Sequence, residues 1–281
     1  MLRNAFAYIT RKWPKSLLLF AIILLMGTLS LIGLSMKGAT QKASSESLGS
    51  ITNSFSMQIN RRTNPGTPRG AGNLRGEDIE KISQVEGITS SIKRINAIAD
   101  ILDHEIIETE ETLQNQSPER AKHFKNTLMV TGVNDSSKED KFVSGAYKLV
   151  QGEHLTDKDK NQILMHEDLA KKNGLKVGDK VRLKSNLYDA DNEKGANETV
   201  EVTIKGLFSG KNQAPLTYAQ ELYEDTLISD LDTAAKLYGN TVQTATYEDA
   251  TFFAKGDQDL DQLIEKIKAL DIPWNYFDLV K

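Results

Sequence analysis

The run Ser16–Met36 (SLLLFAIILLMGTLSLIGLSM) contains no charged residue. A helix over it, rising about 1.5 Å per residue, spans roughly 30 Å, the thickness of the hydrocarbon core of a bilayer. No other stretch of the chain approaches this length without a charge. The run therefore reads as a transmembrane helix over residues 16–36, and it divides the chain into a short part and a long one. Arg3, Arg11, Lys12 and Lys15 precede the run, and no Asp or Glu does. The positive-inside bias then keeps the N-terminus cytoplasmic and sends residues from Lys37 onward across the membrane. A secretory signal peptide is the alternative reading, with small residues near Ala39 and Ala43 as a cleavage site. Its apolar region is usually only about 7–15 residues long, so an uncleaved anchor is expected.

Charge and cysteine content limit what the exported part does. All 39 acidic residues of the chain follow Met36, while four of the 35 basic ones precede it, so this part is more acidic than the overall net charge of −4. Nucleic acid is not expected as a partner, because phosphate binding needs concentrated Lys and Arg. With no cysteine, disulfides, thiol catalysis and Cys-based metal sites are excluded. The domain must hold itself together by its core, and it is long enough to do so.

Residues 1–15 read as a cytoplasmic lead-in. Leu2, Phe6, Ile9 and Trp13 recur at helical spacing, and Pro14 follows. Such a segment suits the membrane surface or a cytoplasmic partner equally. Beyond the span, Ser54–Arg62 alternates as a strand, with Phe55, Met57 and Ile59 on one face. Asn64–Asn73 (NPGTPRGAGN) is a Pro/Gly loop surrounded by Arg61, Arg62, Arg69 and Arg75. A solvated loop is the expectation for it, and a grip on an anionic partner is the functional alternative. Glu77–Val85 is a helix stopped by Gly87. Ile88–Leu102 and Thr127–Val133 are strands. The segment from Phe142 to Gly210 is rich in glycine, as turns between short strands require. Within it, Gln162–Met165 is a strand, His166–Asn173 a helix capped by Gly174, and Val177–Lys184 pairs with Val200–Phe208 across a charged loop, Asn186–Glu198. Thr226–Ser229 is a strand, and Asp230 caps a helix from Leu231 to Gly239. Tyr247–Ala254 is a strand, Gln258–Leu270 a helix and Trp274–Leu279 a last strand. The expected fold class is α+β. One discontinuous lobe covers 48–140 and 211–281, and a β-rich lobe, 141–210, is inserted in it.

Little chemistry is on offer. His104, His123, His154 and His166 fall in no H-x-x-x-H or H-E-x-x-H pattern. His166 precedes Glu167 and Asp168, but adjacent residues on a helix point different ways, so a structural or exposed role is expected. No G-x-S-x-G elbow or P-loop is present. Asp189, Asp191, Glu193 and Gly195 resemble a calcium loop at first sight. The glycine falls one position late, and Val200 stands where a bidentate Glu is needed, so a polar hairpin loop is expected. Asn115, Asn134 and Asn197 begin Asn-x-Ser/Thr triplets, which matter only in a host that glycosylates exported proteins. No catalytic, cofactor-binding or metal-ligating residue is assigned.

Several strings together carry a resemblance: the short helix E-D-I-E-K-I-S-Q-V-E-G-I (Glu77–Ile88), then YKLVQGEHL (Tyr147–Leu155), ILMHEDLAKKNGLKVGDK (Ile163–Lys180) and VTIKGLF (Val202–Phe208). Behind a basic lead-in and one span, they resemble the extracytoplasmic domain of MacB-type, FtsX-like ABC transporter permeases, and among these the Gram-positive Vex-type. The matching positions are Gly152, Glu167, Leu169, Ala170, Gly174, Leu175, Val177, Gly178, Asp179, Val181 and Gly206. Glu153 departs from the Arg common in the family. The likeness covers most of residues 16–281. It implies a porter-like lobe interrupted by a sabre-like lobe, in agreement with the division above. It also implies four membrane spans, the last three beyond the exported domain, so a natural chain continuing past Lys281 is expected.

The resemblance further implies a mechanical role with no enzyme activity in this chain. A separate cytoplasmic ABC ATPase binds ATP, a second permease subunit (the same or related) pairs with this one, and lipid surrounds the span. The expected function is that of the permease subunit of an exporter or mechanotransmission complex in the plasma membrane of a Gram-positive bacterium, moving peptide, antibiotic or lipid. A single-pass, membrane-anchored extracellular binding or scaffold protein is the second reading, and an exported hydrolase a distant third. The matched glycines and leucines read as turn and packing residues, so Gly178→Val is expected to destabilise the inserted lobe.

Overall fold

A computed structural model describes residues 53–70, 72–107, 117–210, 223–256 and 258–281, together with Pro14, Leu24 and Met26. The chain divides into two compact units, Met1–Thr52 and Asn53–Lys281. In the first unit, Pro14, Leu24 and Met26 are helical; the rest of the lead-in and of the 16–36 span lies outside the described residues. Among the described residues no helix is long and apolar enough to cross a membrane.

The second unit is a mixed α+β domain. It opens with β1 (Ser54–Ile59), whose alternating burial follows its sequence alternation: Phe55, Met57 and Ile59 point inward. The short β2 (Leu74–Arg75) leads directly into α1 (Gly76–Ser83), which buries Ile79 and Ile82. Gly87, at φ +106°, makes the turn into β3 (Ile88–Leu102). The helix α2 (Pro118–His123) precedes β4 (Thr127–Val133). Then come α3 (Asp140–Val143), β5 (Lys148–Gly152), β6 (Gln162–His166), α4 (Glu167–Lys172), β7 (Lys180–Ser185) and β8 (Thr199–Ser209). The chain closes with β9 (Thr226–Ser229), α5 (Leu231–Lys236), β10 (Thr246–Tyr247), β11 (Asp249–Ala254), α6 (Leu260–Lys268) and β12 (Phe277–Val280). The last strand begins later than the expected Trp274. Pro273 fixes a turn there, with the Tyr276 amide donating to Pro273 O at 2.9 Å and the Trp274 indole to Leu270 O at 3.3 Å.

β3 decides the topology. It has 15 residues, or roughly 50 Å of extended chain. Along one edge, Arg94–Asp100 pair with β4. Along the other, Ile88–Arg94 pair with β11, and Ala99–Leu102 pair with β7. The first half of β3 thus belongs to an open sheet continuing through β11 and β1 to β12. The second half belongs to a closed ring of strands: β3 to β4, β4 to β9, β9 to β6, β6 to β8, β8 to β7, and β7 back to β3. Closure satisfies strand edges that would otherwise invite pairing with other chains. Strands from residues 141–210 and strands from the flanking segments share this ring. β5 lies against β8 with a register shift between Leu149 and Gln151, an irregularity that blunts an edge strand.

One large core runs beneath both parts and includes Phe55, Met57, Ile79, Phe252, Leu263 and Ile267. A smaller one gathers Val133, Tyr147, Leu155, Leu164, Phe208 and Ile228, with the Tyr147 and Phe208 rings 4.5 Å apart. Each such side chain fully buried contributes about 1.5–3 kcal/mol. At the helix–sheet contacts, α5 packs on β3 and β4. A Cβ on Gly132 would sit 2.5 Å from Ala234 Cβ, so only glycine permits this approach.

Two glycine substitutions separate backbone strain from steric overlap. Gly178 has φ +94°, and a Cβ added there would meet nothing within 4 Å, so Gly178→Val is expected to cost about 1–3 kcal/mol through backbone strain alone. Gly132→Ala is expected to cost a similar amount, about 1–3 kcal/mol, through overlap with Ala234. Denaturant unfolding measures both, and an unchanged midpoint for Gly178→Val contradicts the turn.

Candidate functional site

The densest polar constellation lies beside the place where β3 changes neighbours. The Asn64–Asn73 loop delivers Arg69 to it. Thr67 Oγ1 donates to Asp191 Oδ2 at 3.0 Å, and the Arg69 amide donates to Asp191 Oδ1 at 2.9 Å. The Arg69 guanidinium then lies 3.0 Å from both Asp189 Oδ1 and Asp191 Oδ2. At its other end the loop is tied by Arg61, which donates to Gly70 O. Arg75 pairs with Asp78, a fully buried carboxylate in the first turn of α1, at 2.6 Å and with Glu77 at 3.1 Å. Arg62 is exposed. The loop is mostly exposed or half-buried, in that respect solvated as expected, but it is also pinned, and the anion that Arg69 grips is inside its own chain.

The 186–198 loop supplies those aspartates because its asparagines fold it. Asn192 Nδ2 donates to Asn186 O (3.0 Å) and Ala196 O (2.8 Å), while its Oδ1 accepts from the Ala196 amide at 2.8 Å. Asn186 Nδ2 donates to Asp100 Oδ1 (3.0 Å) and His123 O (3.0 Å), which fixes the loop to β3 and to the end of α2. Lys194 Nζ reaches Asn240 Oδ1 at 2.6 Å. The calcium-like string is thus a folded loop that buries Asp189 and Asn192 while most of its residues stay exposed, and its two aspartates face a guanidinium. Among the described residues no group of three or more candidate ligands could hold a metal ion.

Tyr238, just past α5, completes the constellation. Its hydroxyl accepts from the Ile98 amide at 3.0 Å and donates to Asp189 Oδ2, and Arg69 Nη2 lies 3.4 Å away. Burial, and then the negative charge of Asp189, push the Tyr238 pKa far up, so the hydroxyl keeps its proton as a donor. Burial also raises the Asp189 pKa, against the opposing pull of the Tyr238 hydrogen bond and of Arg69.

A second ionic cluster sits on the same strand a few residues earlier. Arg94 pairs with Asp249 on β11 and lies 3.5 Å from Asp140 and 3.8 Å from the buried Glu139. It joins β3, β11 and the segment that leads into α3. The histidines play local parts. His166 is buried, its Nδ1 accepts from the Asp168 amide at 3.2 Å, and its Nε2 pairs with Gly210 O at 2.8 Å. His154 bonds Ser136 at 2.9 Å, and His123 stacks on Tyr188. Nothing in either ionic cluster pairs a nucleophile with a base; the charged groups face one another, and Arg94 Nε alone in them is buried without a hydrogen-bond partner.

The sequence marks the Arg69 loop and the Asp189–Gly195 string as separate features, and Tyr238 only as one residue of the helix expected from Leu231 to Gly239. It does not reveal their meeting, which spans more than a hundred residues of chain and leaves no local signal. Opposite charge on two loops of unusual composition is the one available hint.

The MacB-like periplasmic core domain model matches residues 16–270, and the chain belongs to this family, which makes it a MacB-type, FtsX-like ABC transporter permease component. Among solved structures it is similar to the periplasmic region of MacB from Actinobacillus actinomycetemcomitans, at 17% identity over 83% of this chain and 90% of that one, with a TM-score of 0.46. It is similar too to the extracellular domain of the noncanonic ABC-type transporter YknZ from Gram-positive bacteria, at 12% identity over 76% and 88% of the two chains, with a TM-score of 0.41. No curated protein sequence matches.

Two measurements test the electrostatics. Tyr238→Phe leaves the Ile98 amide and one Asp189 oxygen without this partner, and is expected to cost about 1–3 kcal/mol in denaturant unfolding. Because the folded pKa of Asp189 is raised, its contribution is fully present below the unfolded value of about 4 and is lost as pH rises through the folded value. The stability of the wild type relative to Asp189→Asn should therefore fall as the pH rises above about 4. A relative stability that rises instead contradicts the assignment.

Proposed function

We propose that this chain is the permease subunit of an ABC-type exporter or mechanotransmission complex. A separate cytoplasmic ATPase binds and hydrolyses ATP, and a second permease subunit pairs with this one. The N-terminus is cytoplasmic, the 16–36 segment spans the plasma membrane of a Gram-positive bacterium, and the domain works outside. In this reading the porter-like lobe is 48–140 and 211–281, and the sabre-like lobe is 141–210. Movement reaching the domain is passed on to peptide, antibiotic or lipid, and no bond is made or broken by this chain.

The family match carries the reading. The topology supports it. β1 and β12 are antiparallel neighbours with Ser56 opposite Val280, so β1 enters the domain at the same end to which β12 returns. A body held at one end through two adjacent strands suits force delivered from a membrane. The lack of a P-loop in the sequence fits a division of labour with a separate ATPase.

The cysteine-free chain allows a direct test of topology and partnership. Asn4→Cys and Ser137→Cys variants are labelled in intact cells with a membrane-impermeant maleimide, and the tagged chain is then purified from those membranes. The expected result is labelling of Ser137→Cys in intact cells, labelling of Asn4→Cys only after permeabilisation, and co-purification of an ABC ATPase. Labelling in the opposite sense overturns the orientation. An orientation as expected, with no ATPase retained and no ATP hydrolysis, overturns the transporter reading in favour of an anchored binding or scaffold protein.

A further inference from the structure

On the edge of β3 that faces β11 and β7, the pairings end at Arg94 and resume at Ala99. Among the described residues, no ladder pairing is made to 95–98 on that edge; the chain running back from β11 through Glu248, whose amide donates to Arg94 O at 2.8 Å, brings β10 against β3 without pairing to it. The opposite edge is paired to β4 without interruption from Arg94 to Asp100. A strand held on both edges is stiff; one held on a single edge for four residues bends there first, because fewer hydrogen bonds resist it. The interruption also falls where the open sheet ends and the closed ring begins.

The gap is filled by side chains. Tyr238 Oη accepts from the Ile98 amide at 3.0 Å, in the place a strand carbonyl would otherwise take. The same hydroxyl donates to Asp189, which is anchored to Arg69 at 3.0 Å. The four groups come from four separate segments: β3, the tail of α5, the 186–198 loop and the 64–73 loop. On the other side of the gap, Arg94 joins β3 to Asp249 of β11 and to the 139–140 segment. Both clusters consist of charged or hydroxyl groups with discrete partners, which part at a definite displacement.

We propose that residues 95–98 of β3 form a hinge between the open sheet and the closed ring, and that Tyr238, Asp189 and Arg69 form the latch that holds it straight. Opening the latch frees the ring to pivot on the β3–β4 pairing without unpairing β11 or β7. Hinge and latch lie within the second unit alone and do not depend on what the complex moves.

The test uses the full-length chain in lipid nanodiscs, with nitroxide labels on Gln58→Cys in β1 and Lys176→Cys in the turn before β7, both exposed. Pulsed dipolar spectroscopy gives the distance distribution between them, and hydrogen exchange gives the protection of the Ile98 amide. The wild-type background is expected to give one narrow distribution. Tyr238→Phe, and Asp189→Asn separately, should broaden it or add a second distance, and should speed Ile98 exchange about five- to tenfold. Asp159→Asn removes a different ion pair, to Lys205 at 2.7 Å, and should leave the distribution narrow. If Asp159→Asn broadens it equally, the effect is general loosening and the latch is wrong. If both latch variants speed Ile98 exchange while the distribution stays narrow, the gap is a rigid joint and the hinge is wrong. A variant that loses its cooperative melt is replaced by Arg69→Lys, which keeps the charge while losing the Nε that meets both aspartates and the Nη2 that meets Tyr238.

Discussion

Everything in the domain depends on how one long strand satisfies its two edges. A strand of 15 residues exposes backbone donors and acceptors along its whole length, and each one buried without a partner costs on the order of 1–3 kcal/mol. Covering one edge of β3 with a single equally long neighbour would give a flat sheet with two open sides. The chain instead uses two shorter neighbours in succession, β11 and β7. Because β7 also pairs with β8, the second half of β3 is drawn into a ring while the first half stays in an open sheet. The architecture follows from that exchange of partners, and so does its weak point, the stretch between them.

The polar groups are concentrated where the exchange leaves β3 without a ladder partner on one edge. Apolar side chains could not serve there, since they offer the Ile98 amide nothing to donate to. Tyr238 offers an oxygen on a long, rigid arm, and it in turn needs an acceptor, which Asp189 supplies. A buried carboxylate needs a cation, which Arg69 supplies. Such buried networks add little net stability compared with apolar packing, because desolvation consumes most of the attraction. Their partners are discrete, however, and this gives the joint a defined geometry.

The sequence announces its local structure clearly and its long-range meetings hardly at all. Alternation at Phe55, Met57 and Ile59, the cap at Asp230, and the glycines at 87, 174 and 178 are short-range signals, and the structure realises them. The start of β12 is harder to read, because Trp274 and Tyr276 have strand-like chemistry while Pro273 sets a turn before them. Ring closure is not legible, since the pairing of β7 with β3 joins residues about eighty positions apart and leaves no periodicity. A Pro/Gly/Arg composition usually means a solvated loop, and nothing near Arg69 in the sequence says that this one is also pinned. Only the fold of the 186–198 loop, built by Asn186 and Asn192, brings its anions within reach.

If β7 closes the ring by pairing with both β8 and β3, the ring must open as one unit. Native-state hydrogen exchange, followed as a function of denaturant, measures this most directly. Amides in β7, in the second half of β3 and in β4 are predicted to open together, with one free energy and one denaturant dependence. Exchange of the β7–β8 hairpin in a separate step of lower free energy, with β3 and β4 still protected, would contradict it.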